Sequence, residues 1–184
     1  MEKNIFLIQW YGPFESVDAL KDWEINRKER FVLYLFQGKK NRKNKTYKYY
    51  CGETYDRKES VACVYVRMND KDHHIHEFEN GEIKIWVGTI ANKRKPTQKE
   101  VFLCEKMITS ELSQIELDDK KIVNGTNKKP PKQNVYVINE WYGKNNFEYR
   151  PMDSNTIPRI VPDVMTYYAP EQIYYRSKQL VRVN

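Results

Sequence analysis

Short apolar runs separated by polar or turn-forming stretches divide this chain into readable segments. "NIFLIQW" (4–10) reads as a strand closed by Gly12-Pro13. In "SVDALKDWEINRKER", Val17, Leu20 and either Trp23 or Glu24 share one side behind a capping Ser16, which predicts a short helix. Residues 31–36 and 47–51 are rich in β-branched and aromatic side chains and read as two strands. Val61, Val64, Tyr65 and Met68 recur at helical spacing, although "VACVYV" suits a buried strand equally well. "EIKIWVGTI" alternates through Ile83, Ile85 and Val87, the mark of a strand. Then Thr97 and Glu100 form a capping box ahead of Val101, Cys104, Ile108 and Leu112, an apolar stripe over three turns. "IVNGTNKKPPKQN" is a loop and "VYVINEW" a further strand. Beyond Gly143 the chain is dense in tyrosine and broken by Pro151, Pro158, Pro162 and Pro170. It reads as a partly packed extension ending in a short helix at 171–181.

Length and charge narrow the class. A chain of 184 residues suffices for one domain with a substantial core, and an aromatic content of 14% argues against disorder of the whole. The formal charge of +7 favours an anionic partner, of which nucleic acid is the commonest. Surplus lysine also serves solubility, so charge alone does not decide. Cys51, Cys63 and Cys104 are odd in number, far apart and set in apolar sequence, as reduced core residues would be. The chain shows no leader peptide and no apolar run long enough for a bilayer, so a cytoplasmic protein without a membrane partner is expected.

The order of features from residue 31 to about 140 resembles the GIY-YIG nucleases. Val32-Leu33-Tyr34 stands where that family has Gly-Ile-Tyr, and Tyr50-Cys51-Gly52 where it has Tyr-Ile-Gly. Glu105 lies on the capped helix that carries the family's metal-binding carboxylate, and Asn124 lies in the loop that follows. Asn127, three residues on, is the alternative for that loop position. Valine replaces the first glycine, and a lysine-rich insertion lengthens the hairpin. The arginine is not at its ordinary distance: Arg57 comes early and Arg67 late, and Arg67 is preferred because it falls within the helical pattern.

The resemblance implies an α/β fold, a small mainly antiparallel β-sheet flanked by α-helices. It divides the chain into an N-terminal strand and helix (1–30), a catalytic domain (31–142) and a Pro/Tyr-rich extension (143–184). It also implies endonuclease activity on DNA, RNA not excluded, with Mg²⁺ or Mn²⁺ held by Glu105. In such a site, one carboxylate holds a hard cation that acts as a Lewis acid. Arg67 would clamp phosphoryl oxygens with its planar fork, and Tyr34 and Tyr50 would orient or deprotonate water. A phenol has an unperturbed pKa of about 10, so base action needs a stabilised phenolate.

Blander readings stand beside these. Strand tyrosines are commonly amphipathic core residues, and a helical glutamate or arginine is commonly solvated. His73, His74 and His76 suggest a zinc site, but nothing nearby completes a ligand set; phosphate contact or a plain loop suits them better. Lys39, Lys40, Arg42, Lys43 and Lys45 crowd the hairpin and are candidates for sequence-independent phosphate contacts, with 92–96 and 127–132 as possible additions to the same rim. The rival function is a nucleic-acid-binding module that keeps the fold without catalysis; an interaction protein using the tyrosine-rich tail is the weaker third.

Overall fold

The computed structural model describes residues 4–27, 30–45, 47–54, 63–114, 121–144 and 161–177. Its strands are β1 (Asn4–Phe14), β2 (Leu33–Gly38), β3 (Lys48–Glu53), β4 (Lys84–Ile90), β5 (Lys121–Ile122), β6 (Val135–Tyr142), β7 (Val164–Tyr168) and β8 (Ile173–Ser177). The helices are α1 (Val17–Arg27), α2 (Cys63–Met68) and α3 (Gln98–Gln114), with a 3-10 turn at His74–Glu77. All eight strands join one sheet in the order β5-β3-β2-β4-β1-β6-β7-β8. The class is α/β, as expected, but the sheet is larger than the small antiparallel one anticipated. It is mixed, because β1 runs parallel to β6 and β3 parallel to β5.

Two cores form on the two faces, because side chains alternate along each strand. On one face Leu33, Leu35, Cys51 and Trp86 pack against Val101, Cys104, Met107 and Ile108 of α3. On the other, Tyr34, Phe36, Ile85 and Val87 pack with Leu20 of α1 and with Val64 and Met68 of α2. The α3 start follows its capping box: Thr97 N donates to Glu100 Oε2 (2.8 Å), and Glu100 N donates to Thr97 Oγ1 (3.3 Å). The three cysteines are buried, and none is in a disulfide among the described residues. No helix among the described residues is long and apolar enough to cross a membrane.

The first strand is central rather than appended. β1 bonds β4 on one side and β6 on the other, so the sheet runs unbroken across positions 30 and 142. The C-terminal segment differs from expectation too. Residues 173–177 are not helical: they form β8, which pairs with β7 after a turn at Ala169–Gln172, where Gln172 has φ 54°. "VMTYY" and "IYYRS" carry aromatic and β-branched residues that suit a pleated surface better than a helix. Arg176 Nε lies 2.6 Å from the fully buried Glu111 Oε1, tying β8 back to α3.

Candidate functional site

A cleft of about 390 Å³ opens at the end of the β2–β3 pair, lined by Tyr34, Tyr50, Arg67 and Glu105. Gly52, Glu53, Thr54, Phe102, Thr126 and Asn127 complete its wall. Four separate elements thus deliver the four side chains: β2, β3, α2 and α3. Arg57 lies outside the described residues.

The tyrosines owe their placement to strand register. Tyr34 pairs with Gly52 and Phe36 with Tyr50, so Tyr50 stacks diagonally between the two rings at 5.9 and 5.1 Å. A Cβ at Gly52 would fall 2.3 Å from Tyr34 Cζ, so the glycine is what lets the Tyr34 phenol lie across β3. Tyr34 is buried and Tyr50 half-buried. Burial lifts the Tyr34 pKa well above its ordinary value, and the Tyr50 hydroxyl adds to the rise while Arg67 opposes it. Tyr50 is raised as well, chiefly by burial, though its hydrogen bond with Tyr34 and the Arg67 charge pull it down. Both are phenols in the free protein, and Tyr50 is the one more open to a water in the cleft.

Behind Tyr34 stands His73, which the sequence suits to a phosphate contact or a plain loop but which is buried in the fold. His73 Nδ1 accepts from Ile75 N (3.1 Å), which places the proton of the neutral ring on Nε2. Nε2–H then donates to Tyr34 Oη at 2.9 Å. Burial and the nearby Arg67 charge hold the His73 pKa down to about 4, so the ring is neutral at physiological pH. The signal for its burial was the apolar pair Ile75 and Phe78 threaded among charged residues. His74 instead pairs with Glu77, and His76 Nε2 meets Asp70 O. Among the described residues no cluster of three metal-ligating side chains occurs.

Arg67 is fixed by a contact made far away in sequence. Glu24 of α1, 1% exposed, accepts from Val64 N and Tyr65 N (both 2.9 Å) and so caps the short α2. Arg67, one turn on, projects into the cleft with Nη1 on Asp70 Oδ2 at 2.9 Å.

Glu105 is buried rather than solvated, and its Oε2 accepts from Asn127 Nδ2 (2.8 Å). Desolvation and the Glu53 charge raise its pKa to about 7. Two carboxylates lining one cleft repel each other and favour a bound cation. The donor set is oxygen only, which fits a hard divalent ion.

Asn124 does something else. Its Oδ1 accepts from Cys51 N (3.1 Å) and its Nδ2 donates to Cys51 O (2.6 Å). The side chain acts as one more rung of the β3–β5 pairing, and Asn127 is the loop asparagine that reaches the cleft.

The basic hairpin sits at the far end of β2 and β3. Its base, Gly38 opposite Lys48, is four residues from Gly52, about 13 Å at the rise of a strand. Lys39 pairs with Glu82 (3.3 Å) and Lys40 with Glu77 (2.5 Å), while Arg42, Lys43 and Lys45 are exposed. No family model, curated protein or solved structure matches the chain.

Proposed function

We propose that this protein is a divalent-metal-dependent endonuclease of the GIY-YIG kind that hydrolyses phosphodiester bonds, most naturally in DNA. The observation that carries this reading is the convergence of Tyr34, Tyr50, Arg67 and Glu105 on one cleft from four separate elements. A core tyrosine, a solvated arginine and a solvated glutamate would have no reason to share a concavity.

Each side chain has a task that its surroundings suit. Arg67 offers a planar fork to the non-bridging phosphoryl oxygens, stabilising the charge that builds on them. Tyr50 orients the attacking water through its hydroxyl. Tyr34, held by neutral His73, positions Tyr50 and spares it an unpaired lone pair. Glu105, steadied by Asn127 and near Glu53, would hold Mg²⁺ or Mn²⁺, which when bound supplies Lewis acidity at the phosphate.

Incubation of supercoiled plasmid with the wild-type chain, in Mg²⁺ and in EDTA, tests the reading. Nicking or linearisation in Mg²⁺, absent in EDTA and absent in Glu105→Gln, is the expected result. Metal-independent cleavage, or full activity in Glu105→Gln, overturns the mechanism. DNA binding without any cleavage assigns the chain to the inactive binding modules.

A further inference from the structure

The cleft cannot by itself hold a polyanion. Among the described residues its wall carries one cation, Arg67, against two carboxylates, Glu53 and Glu105. Affinity for a phosphate backbone is dominated by cations that displace its counterions, so those cations must lie elsewhere.

A second concavity, of about 740 Å³, has the opposite charge. Arg30, Lys93, Arg94 and Lys95 line it, over a floor that includes Gln9 and Thr89, and its described lining contains no carboxylate. The two linings meet at one backbone hydrogen bond. Val32 lines the groove and Thr54 lines the cleft, and Thr54 N donates to Val32 O at 3.0 Å. A wall residue of each space thus lies about one strand spacing, near 5 Å, from a wall residue of the other, close enough for one nucleic-acid backbone to reach both.

The loop that presents the charges is pinned at both ends. Asn92 Oδ1 accepts from Leu7 N (3.0 Å), its Nδ2 donates to Ile5 O (2.9 Å), and Ala91 N donates to Leu7 O (2.8 Å). At the other end Lys93 Nζ meets Glu100 Oε1 (2.8 Å), the same glutamate that closes the capping box on Thr97. Arg94 and Lys95, between the two anchors, remain exposed. A solvated loop has no need of such bracing, whereas a surface that must meet regularly spaced phosphates gains from it, because less freedom is lost on binding.

We propose that this groove, with Arg94 and Lys95 as its contacts, binds the phosphate backbone of the nucleic acid beside the scissile bond. It, rather than the hairpin at 39–45, carries the substrate. The inference rests on the nucleic-acid reading of the cleft but not on cleavage, and its test is kept free of catalysis.

Binding of a fluorescent 20-base-pair DNA duplex is measured by anisotropy in EDTA between 50 and 300 mM NaCl. Wild type is compared with Arg94→Gln/Lys95→Gln and, as a control of equal charge, Arg42→Gln/Lys43→Gln. Loss of two phosphate contacts weakens binding roughly sixtyfold at 0.1 M salt and makes the log–log salt slope shallower by about 1.8. The hairpin control should keep the wild-type slope. All four substituted residues are exposed, so both proteins should melt as wild type does. An equal loss in the two variants, a loss in the hairpin variant alone, or no binding by wild type overturns the proposal. Binding of a poly-glutamate chain that responds to Arg94 and Lys95 while DNA binding does not would also overturn it, in favour of an acidic protein partner. If the expected binding pattern is seen but wild type never cuts plasmid in Mg²⁺, the groove stands and the nuclease reading falls.

Discussion

Tyr34 and Gly52 face each other across the β2–β3 pair, and the phenol fills the volume that a Cβ on Gly52 would occupy. The tyrosine-x-glycine spacing is therefore a steric device: the glycine makes room for the ring, and the tyrosine two residues earlier stacks on it. Gly52→Ala should displace the Tyr34 ring and cost roughly 1–3 kcal/mol of stability through overpacking. Plasmid cleavage should fall sharply in a variant that still binds DNA as wild type does. Unchanged turnover would mean that the position of Tyr34 is immaterial to the chemistry.

Arg67 is the second test. Removing one charge-stabilising donor costs roughly a hundred- to thousandfold in rate, and lysine cannot reproduce the planar fork. Arg67→Lys should lose about that much single-turnover rate with little change in DNA affinity. Arg57→Lys should stay close to wild type. The reverse pattern would move the clamp to Arg57.

Glu105 gives a pH signature. Its folded pKa is about 7, against an ordinary carboxyl value near 4.5. Between those values the folded chain keeps a proton that the unfolded chain has released. The resulting stability is fully present below about pH 4.5 and is lost as pH rises through 7. Glu105→Gln should therefore be more stable than wild type at pH 8, by on the order of 2–3 kcal/mol without metal, and close to it at pH 4.5. Mg²⁺ should raise the Tm of wild type at pH 8 and leave the variant unmoved. A stability difference that is flat from pH 4.5 to 8 would contradict the raised pKa.

His73 works in the opposite sense. Its pKa falls from 6.5 to about 4 on folding, so its contribution is present above pH 6.5 and lost as pH falls through 4. His73→Phe keeps the ring volume but removes the donor to Tyr34 and the acceptor for Ile75 N. Urea denaturation should show a loss of roughly 1–3 kcal/mol at pH 7.5 and a shallower decline between pH 6.5 and 4. A wild-type acid limb in the variant would place the titrating group elsewhere.

What was legible in the sequence was local. The α3 boundary could be read because Thr97 and Glu100 satisfy each other within four residues, and the apolar stripe behind them shows which face is buried. β4 showed itself by alternation, and the four cleft residues by their order along the chain. What could not be read depends on partners far away. Asn124 and Asn127 lie three residues apart in one loop, and only the path of that loop past Cys51 decides which side chain reaches Glu105. The sequence places either Trp23 or Glu24 on one helix side with Leu20, but the capping role of Glu24 is hidden because the amide of Val64 lies 40 residues downstream. β7 and β8 were hidden by prolines, which punctuate the segment without preventing strands between them. The hairpin lysines drew attention by number, yet Lys39 and Lys40 are committed to carboxylates that only the fold brings near.

The seat of β1 between β4 and β6 dictates when this chain is able to fold. Half of its ladder comes from residues 135–142, so on a ribosome β1 must wait for a strand made well over a hundred residues later. Until then β1 has an open edge, and pairing of such sequence separation is slow to form because the loop must close before any bond rewards it. The parallel β1–β6 ladder therefore closes only once residues 135–142 have been made. A nascent chain that stops short of residue 135 has the hairpin, the cleft tyrosines and Glu105 in its sequence, but no finished sheet to hold them in register.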